Sequence, residues 1–164
     1  MEDLLQLIFS KDGHFGRTFK DFEERPEQFS MAKQILEAYR DDNIALIEAG
    51  TGIGKSFAYL VPAVLWALKH KEKTVIATNT IALQEQLIHK DIPFLLKILE
   101  ADIHAVLVKG MSNYVCLRKV AELSEEPLLF SQEESEEVSR IERWSERATE
   151  GSRSEISFYL SPGT

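Results

Sequence analysis

The chain holds one cysteine in 164 residues, Cys116. A single thiol closes no internal disulfide, which excludes a disulfide-stapled secreted framework and fits a reducing cytoplasm. No apolar run approaches the ~20 residues that a membrane-crossing helix requires, so no membrane partner is expected. The opening Met1-Glu2-Asp3 is acidic and lacks the basic start of a secretory signal. There is no excess of basic residues either. The net charge is −8, which argues against tight, non-specific nucleic-acid binding by the chain as a whole. The acidity is local, however. Residues 121–150 carry ten acidic and three basic groups, whereas residues 1–120 carry sixteen and fifteen. The larger part is close to neutral, and a local groove for nucleic acid stays open.

What is present is organised around Ala49-Gly50-Thr51-Gly52-Ile53-Gly54-Lys55-Ser56. A short apolar run, Ile44 to Ile47, precedes it, and a long one, Phe57 to Leu68, follows. Strand, glycine-rich loop and helix are the context of a phosphate-binding loop. Glycines let backbone N–H groups turn around phosphate oxygens with no Cβ in the way. The helix N-terminus adds unpaired N–H groups and a positive dipole end. Lys55 is placed to reach the outer phosphates, and the Ser56 hydroxyl to hold Mg²⁺. Ala49 stands where the usual pattern begins with Gly, a small change in volume. The plainer reading is a glycine-rich turn joining a strand to a helix. The lysine and the hydroxyl at this spacing favour nucleotide binding.

A phosphate-loop ATPase also needs an acidic group on the metal, at the end of an apolar strand. None follows residue 56. Asp91 and Asp102 end no such strand, and Glu48 ends one but precedes the loop. Nucleotide binding without efficient hydrolysis is therefore expected of this chain.

Around the loop, residues 1–9 suggest a short helix, and Phe15, Phe19 and Phe22 an arm lying on the core. Pro26 suits a first helical position, and Phe29, Ala32, Ile35, Leu36 and Tyr39 recur at helical spacing to about Arg40. Helix 55–70 contains Pro62, where a kink is expected. Residues 44–48, 74–78 and 104–108 read as short buried strands, with a helix near 81–88 that Pro93 breaks or bends. The order α-β-α-β-α-β predicts an α/β fold: a parallel sheet covered by helices on both faces, with ligands beyond the carboxyl ends of the strands. Past Gly110 the sequence turns polar, with Val138, Ile141 and Trp144 as a thin apolar stripe on a solvated helix.

Four segments appear together, in order: Arg25-Pro26-Glu27-Gln28, the loop with Glu48 before it, Thr78 to Leu87, and Lys109-Gly110-Met111-Ser112-Asn113-Tyr114-Val115-Cys116-Leu117. Over about residues 25–120 they resemble the opening of the DinG/XPD-like iron–sulfur helicases of superfamily 2, which are ATP-driven motors moving 5′ to 3′ on single-stranded DNA. The resemblance implies an incomplete RecA-like first motor domain over residues 1–110, and the start of a helical iron–sulfur insertion over 111–164. It implies that Gln28 reads the adenine edge with Arg25 beside it. Ala49 to Ser56 would cradle ATP and Mg²⁺, with Lys55 as the catalytic residue and Ser56 on the metal. Thr78, Thr80 and Gln84 would touch the DNA backbone. Cys116 matches the first of four ligands to a [4Fe–4S] cluster, whose other three, with the acidic motif and the second motor domain, belong to a longer parent. Such a parent would be a cytoplasmic ATP-dependent DNA helicase of replication or repair, of which this chain is an N-terminal piece.

Two other readings compete. One is a small phosphate-loop protein such as a nucleotide kinase. Arg140, Arg143 and Arg147 would be its lid, although their alternation with Glu142 and Glu146 fits a solvated ion-pair face better. The other is a catalytically inactive fragment that binds nucleotide alone. In this chain by itself, Cys116 reads more simply as a small buried residue.

Overall fold

The computed structural model describes residues 1–125 and 131–161, the side chains of 124 and 125 excepted. Backbone contacts divide the chain into two compact units, Met1–Leu107 and Val108–Thr164.

The first unit is helical. α1 (Glu2–Phe9) buries Leu5, Ile8 and Phe9, the i, i+3, i+4 stripe of an amphipathic helix. A short α2 (His14–Thr18) is pinned by Phe15. α3 (Pro26–Asp41) starts on Pro26, whose missing N–H costs nothing in a first turn, and ends at Asp42 in the left-handed conformation. α4 (Lys55–His70) buries Ala58 and every residue from Leu60 to Leu65. It is the central helix, apolar on most of its circumference, and α3 packs along it through Ala32 and Leu36. The helix runs unbroken from Lys55 to His70 with the buried Pro62 inside it. α5 (Ile81–Gln86), a π-helical turn (Leu87–Asp91) and α6 (Ile92–Ile98) follow, so the expected interruption at Pro93 takes the form of a wide turn before it. That turn buries the Asp91 carboxylate, which accepts a 2.9 Å hydrogen bond from Gln86 Nε2. None of these helices, nor any other among the described residues, is long and apolar enough to cross a membrane.

The expected parallel sheet is not formed. Among the described residues there is no strand, and the one β-bridge joins Tyr114 to Ser152. Residues 44–48, 74–78 and 104–108 carry no regular secondary structure. Burial along 101–108 alternates residue by residue, and along 74–78 likewise. The strand period is thus present, but only one side is covered. Ile44 and Leu46 are 100% exposed, Val75 89% and Val106 68%. A brief β-branched run reports a preference for extended chain; it does not supply the neighbour whose N–H and C=O groups complete a ladder. The α/β, both-faces-covered architecture is therefore corrected to a helical unit centred on α4, and a site at a sheet edge goes with it.

In the second unit a 3₁₀ turn (Met111–Asn113) leads to α7 (Leu117–Glu125) and α8 (Gln132–Ser145), which pack on each other, and a 3₁₀ turn (Arg153–Glu155) follows. α8 opens with a capping box. Glu134 N–H donates to Ser131 Oγ, while the Ser131 N–H and hydroxyl donate to the Glu134 carboxylate and hold it below its usual pKa. Lys109 is buried, and its ammonium donates to Ser152 Oγ at 3.0 Å and Ser154 Oγ at 2.7 Å.

Candidate phosphate-binding loop

Residues 49–54 form the turn before α4. Gly52 and Gly54 have φ of 83° and 82°, the left-handed region where only glycine sits without strain. Gly54 is the N-cap of α4 and supplies no side-chain cap, so the first-turn N–H groups and the positive end of the helix face the loop. Lys55 is the first helical residue. Its Nζ donates back to the carbonyls of Ala49 at 3.1 Å and Gly50 at 2.7 Å, which places the ammonium over the opening half of the loop. Ser56 is half-buried in the same turn, Ile53 is half-buried, and Thr51 is exposed.

The start of α3 meets the other half of the loop. Arg25 Nη1 donates to the Gly52 carbonyl at 2.7 Å. Gln28, only 5% exposed, donates from Nε2 to the Gly54 carbonyl at 2.9 Å. Five of the eight loop residues, with Arg25 and Gln28, are thus joined by hydrogen bonds. Two clefts flank this contact. One, of about 440 Å³, is lined by Pro26, Met31, Ile47, Gly50 and Ile53 among others. The other, of about 230 Å³, lies between Phe15, Phe19, Phe22, Phe57 and the Arg25–Gln28 pair. The aromatic wall of this second cleft is absent from the sequence-level site. Phe15, Phe19 and Phe22 were legible as an arm on the core but not as a wall of the site, which they form with Phe57, directly after Ser56.

Gly54 has a second reason to be glycine. A Cβ there would stand 2.1 Å from Gln28 Nε2. Gly54→Ala is expected to cost about 1–2 kcal/mol for the left-handed backbone alone and to expel the Gln28 amide. Thermal denaturation, with the Gln28 side-chain amide resonance as reporter, checks it.

The remaining sequence-level site residues fall elsewhere. Thr80 caps α5, its Oγ1 accepting the Leu83 N–H at 3.2 Å, and Thr78 Oγ1 donates to the Thr80 carbonyl at 3.2 Å. The half-buried Gln84 lies one turn further on α5. Cys116 belongs to the second unit and is exposed immediately before α7, so the expectation of a buried residue is corrected. A [4Fe–4S] cluster takes four thiolates, so the residues of this chain do not fit one. Among the described residues no three His, Cys, Asp or Glu side chains gather as a metal centre would require.

The structure thus places at 49–56 a glycine loop with two left-handed residues, a lysine over its carbonyls and a helix N-terminus behind it, without the strand expected before it. The sequence model of the DEAD/DEAH box helicases matches residues 25–135, beginning at Arg25 and taking in the whole loop. The chain belongs to the DEAD/DEAH box helicase family. It is 34% identical over 150 residues to the ATP-dependent DNA helicase YoaA of Haemophilus influenzae, covering 92% of this chain and 23% of that protein. It is 38% identical over 112 residues to YoaA of Escherichia coli, covering 68% and 17%. It is 37% identical over 105 residues to the 3′-5′ exonuclease DinG of Bacillus subtilis, covering 64% and 11%. The chain thus spans less than a quarter of the length of these relatives.

Proposed function

We propose that this chain is the nucleotide-binding opening of an ATP-dependent DNA helicase of the DinG type, cytoplasmic and acting in replication or repair. The observation that carries the reading is the loop at 49–56, with Lys55 drawn over it, inside a helicase family match. Residues 49–56 hold the triphosphate. Backbone N–H groups of the loop and of the first turn of α4 take the phosphate oxygens, and Lys55 supplies the positive charge that stabilises them. Mg²⁺ is bound in such sites through one or two protein oxygens, with phosphate oxygens and water completing the shell. The Ser56 hydroxyl is the protein oxygen this chain offers. Thr78, Thr80 and Gln84 at the start of α5 are the residues for single-stranded DNA, where short hydroxyl and amide groups suit phosphate oxygens. Travel in the 5′-to-3′ direction and an iron–sulfur cluster would be properties of a longer parent.

Unwinding is not expected of these 164 residues, because no acidic strand end follows the loop to complete a hydrolytic metal site. The test is ATP·Mg²⁺ binding to the purified chain, followed by phosphate release with and without single-stranded DNA. Binding with negligible turnover is the expected result. Robust DNA-stimulated turnover would contradict the division between binding and hydrolysis. Phosphoryl transfer from ATP to a nucleoside monophosphate would favour the kinase reading.

A further inference from the structure

The helical run from Ile81 to Ile98 is α-helical at both ends and π-helical between them. Where the π-turn closes, the Ile92 N–H donates to the Leu87 carbonyl, whereas an α-helix would send it to Ile88. Pro93 does not account for this shift. A proline removes its own bond, here the one to His89, and crowds that carbonyl. The bond from Ile92 to Ile88 would survive such a kink. Two other observations belong to the wide turn itself. The first is spacing. Leu83, Leu87, Asp91 and Leu95 recur at every fourth residue; the last three are buried and Leu83 is half-buried. In an α-helix each such step overshoots by about 40°, so the four would spiral over about a third of the circumference. A turn that takes in an extra residue brings them back to one face. The second is the hydrogen bond from Gln86 Nε2 to the Asp91 carboxylate, 2.9 Å long and spanning five residues. Side chains at that separation stand about 140° apart on an α-helix and do not meet. The bond can form only in the wide register, and it gives a buried carboxylate on a leucine-lined face the donor it needs.

We propose that Gln86 and Asp91 are positioning residues: their bond latches the π-turn and so sets the direction in which Thr80 and Gln84 are presented to single-stranded DNA. This rests on the reading of Thr80 and Gln84 as DNA-contacting residues given above. α6 is anchored by the buried Leu95. Relaxing the turn to α-helix would therefore rotate everything before it by about 100°, the angle of one residue. The Thr80 and Gln84 side chains would turn with it. A leucine at 91 would complete the apolar face; the carboxylate instead fixes the register.

Gln86→Ala, Asp91→Leu and Asp91→Asn in the full chain serve as tests. Gln86 is exposed, and alanine is a strong helix former, so Gln86→Ala disturbs neither the core nor the helix as such. Asp91→Leu removes the acceptor and leaves Gln86 in place, which separates the latch from any contact Gln86 itself makes with DNA. Asp91→Asn keeps an acceptor. The first readout is the NMR scalar coupling across the hydrogen bond from the Ile92 N–H to the Leu87 carbonyl. It is expected to vanish in Gln86→Ala and Asp91→Leu, with a coupling to the Ile88 carbonyl in its place, and to persist in Asp91→Asn. The second is the affinity for a fluorescent oligothymidylate at low salt, followed by anisotropy. It is expected to fall about tenfold in the first two variants, the size of one or two ordinary hydrogen bonds, and to be restored in Asp91→Asn. A coupling to Leu87 that persists in folded Gln86→Ala and Asp91→Leu overturns the latch. A coupling that moves to Ile88 with oligothymidylate affinity unchanged overturns the positioning role. If the unaltered chain binds no oligothymidylate and the coupling still moves, the latch stands and the DNA reading falls instead.

Discussion

Lys55→Ala is expected to lower the affinity of the chain for ATP·Mg²⁺ by about a hundredfold or more while changing its folding stability by less than about 1 kcal/mol. The two effects separate because the ammonium has different partners in the two processes. In the free chain it donates to two carbonyls of a half-exposed loop, and water replaces such bonds at small net cost. Toward a triphosphate it faces several ionised oxygens at once. Each charge-assisted hydrogen bond lost there costs about 1.5–3 kcal/mol, so two of them exceed a hundredfold. Arg25 sits at the other half of the loop, donating one guanidinium N–H to the Gly52 carbonyl. Calorimetric titration and a urea unfolding curve on the same variant check the pair of expectations. Unchanged affinity would remove the loop from the site. A large loss of stability would mean that Lys55 holds the loop together in the free chain, and the binding result would have to be read as a folding defect.

The helices were legible in the sequence because their signals are local. Pro26 marks the first turn of α3, and the spacing of Ala32 and Leu36 marks its buried face. The apolar run after Ser56 marks α4. The three segments read as strands failed for the opposite reason. Their apolar and β-branched residues are present, and an alternation of burial appears along 74–78 and 101–108 although not along 44–48. A ladder, however, is made by two segments, and periodicity in one says nothing about whether a partner aligns with it. The site divides in the same way. Residues 49–56 were legible because glycines, lysine and serine are contiguous. The hydrogen bonds from Arg25 and Gln28 span 27 and 26 residues. Their one trace was the pairing of Arg25 and Gln28 across a proline-initiated first turn. The bonds from Lys109 to Ser152 and Ser154 span 43 and 45 residues and had no sequence signal.

The arm between α1 and α3 links packing to the site, and Phe15→Ala should expose that link. Phe15 is 1% exposed. Its ring lies 5.2 Å from Phe9 and from Phe57, 5.7 Å from Phe19 and 6.1 Å from Phe22, edge-on in each case. α2 has five residues, too few for a helix to persist on its own hydrogen bonds, so the ring holds the helix more than the helix holds the ring. Truncating a buried phenylalanine costs about 3–5 kcal/mol through lost burial and the cavity left behind. Against a total of about 5–15 kcal/mol for an ordinary domain, that is a large share. Phe15→Leu, which keeps most of the volume, should cost markedly less. The consequence reaches the loop through Phe57, which follows Ser56 in the first turn of α4 and touches Phe15, Phe19 and Phe94. With the arm released, that turn loses the packing on one side that fixes its N–H groups. ATP affinity should therefore fall in Phe15→Ala even at temperatures where the variant remains folded, and recover in Phe15→Leu. Urea unfolding followed by Trp66 fluorescence, with Trp144 replaced by Phe in every variant, gives the stability, and calorimetry in the folded range gives the affinity. A stability loss with no change in affinity would show that α4 presents its N-terminus without help from the arm.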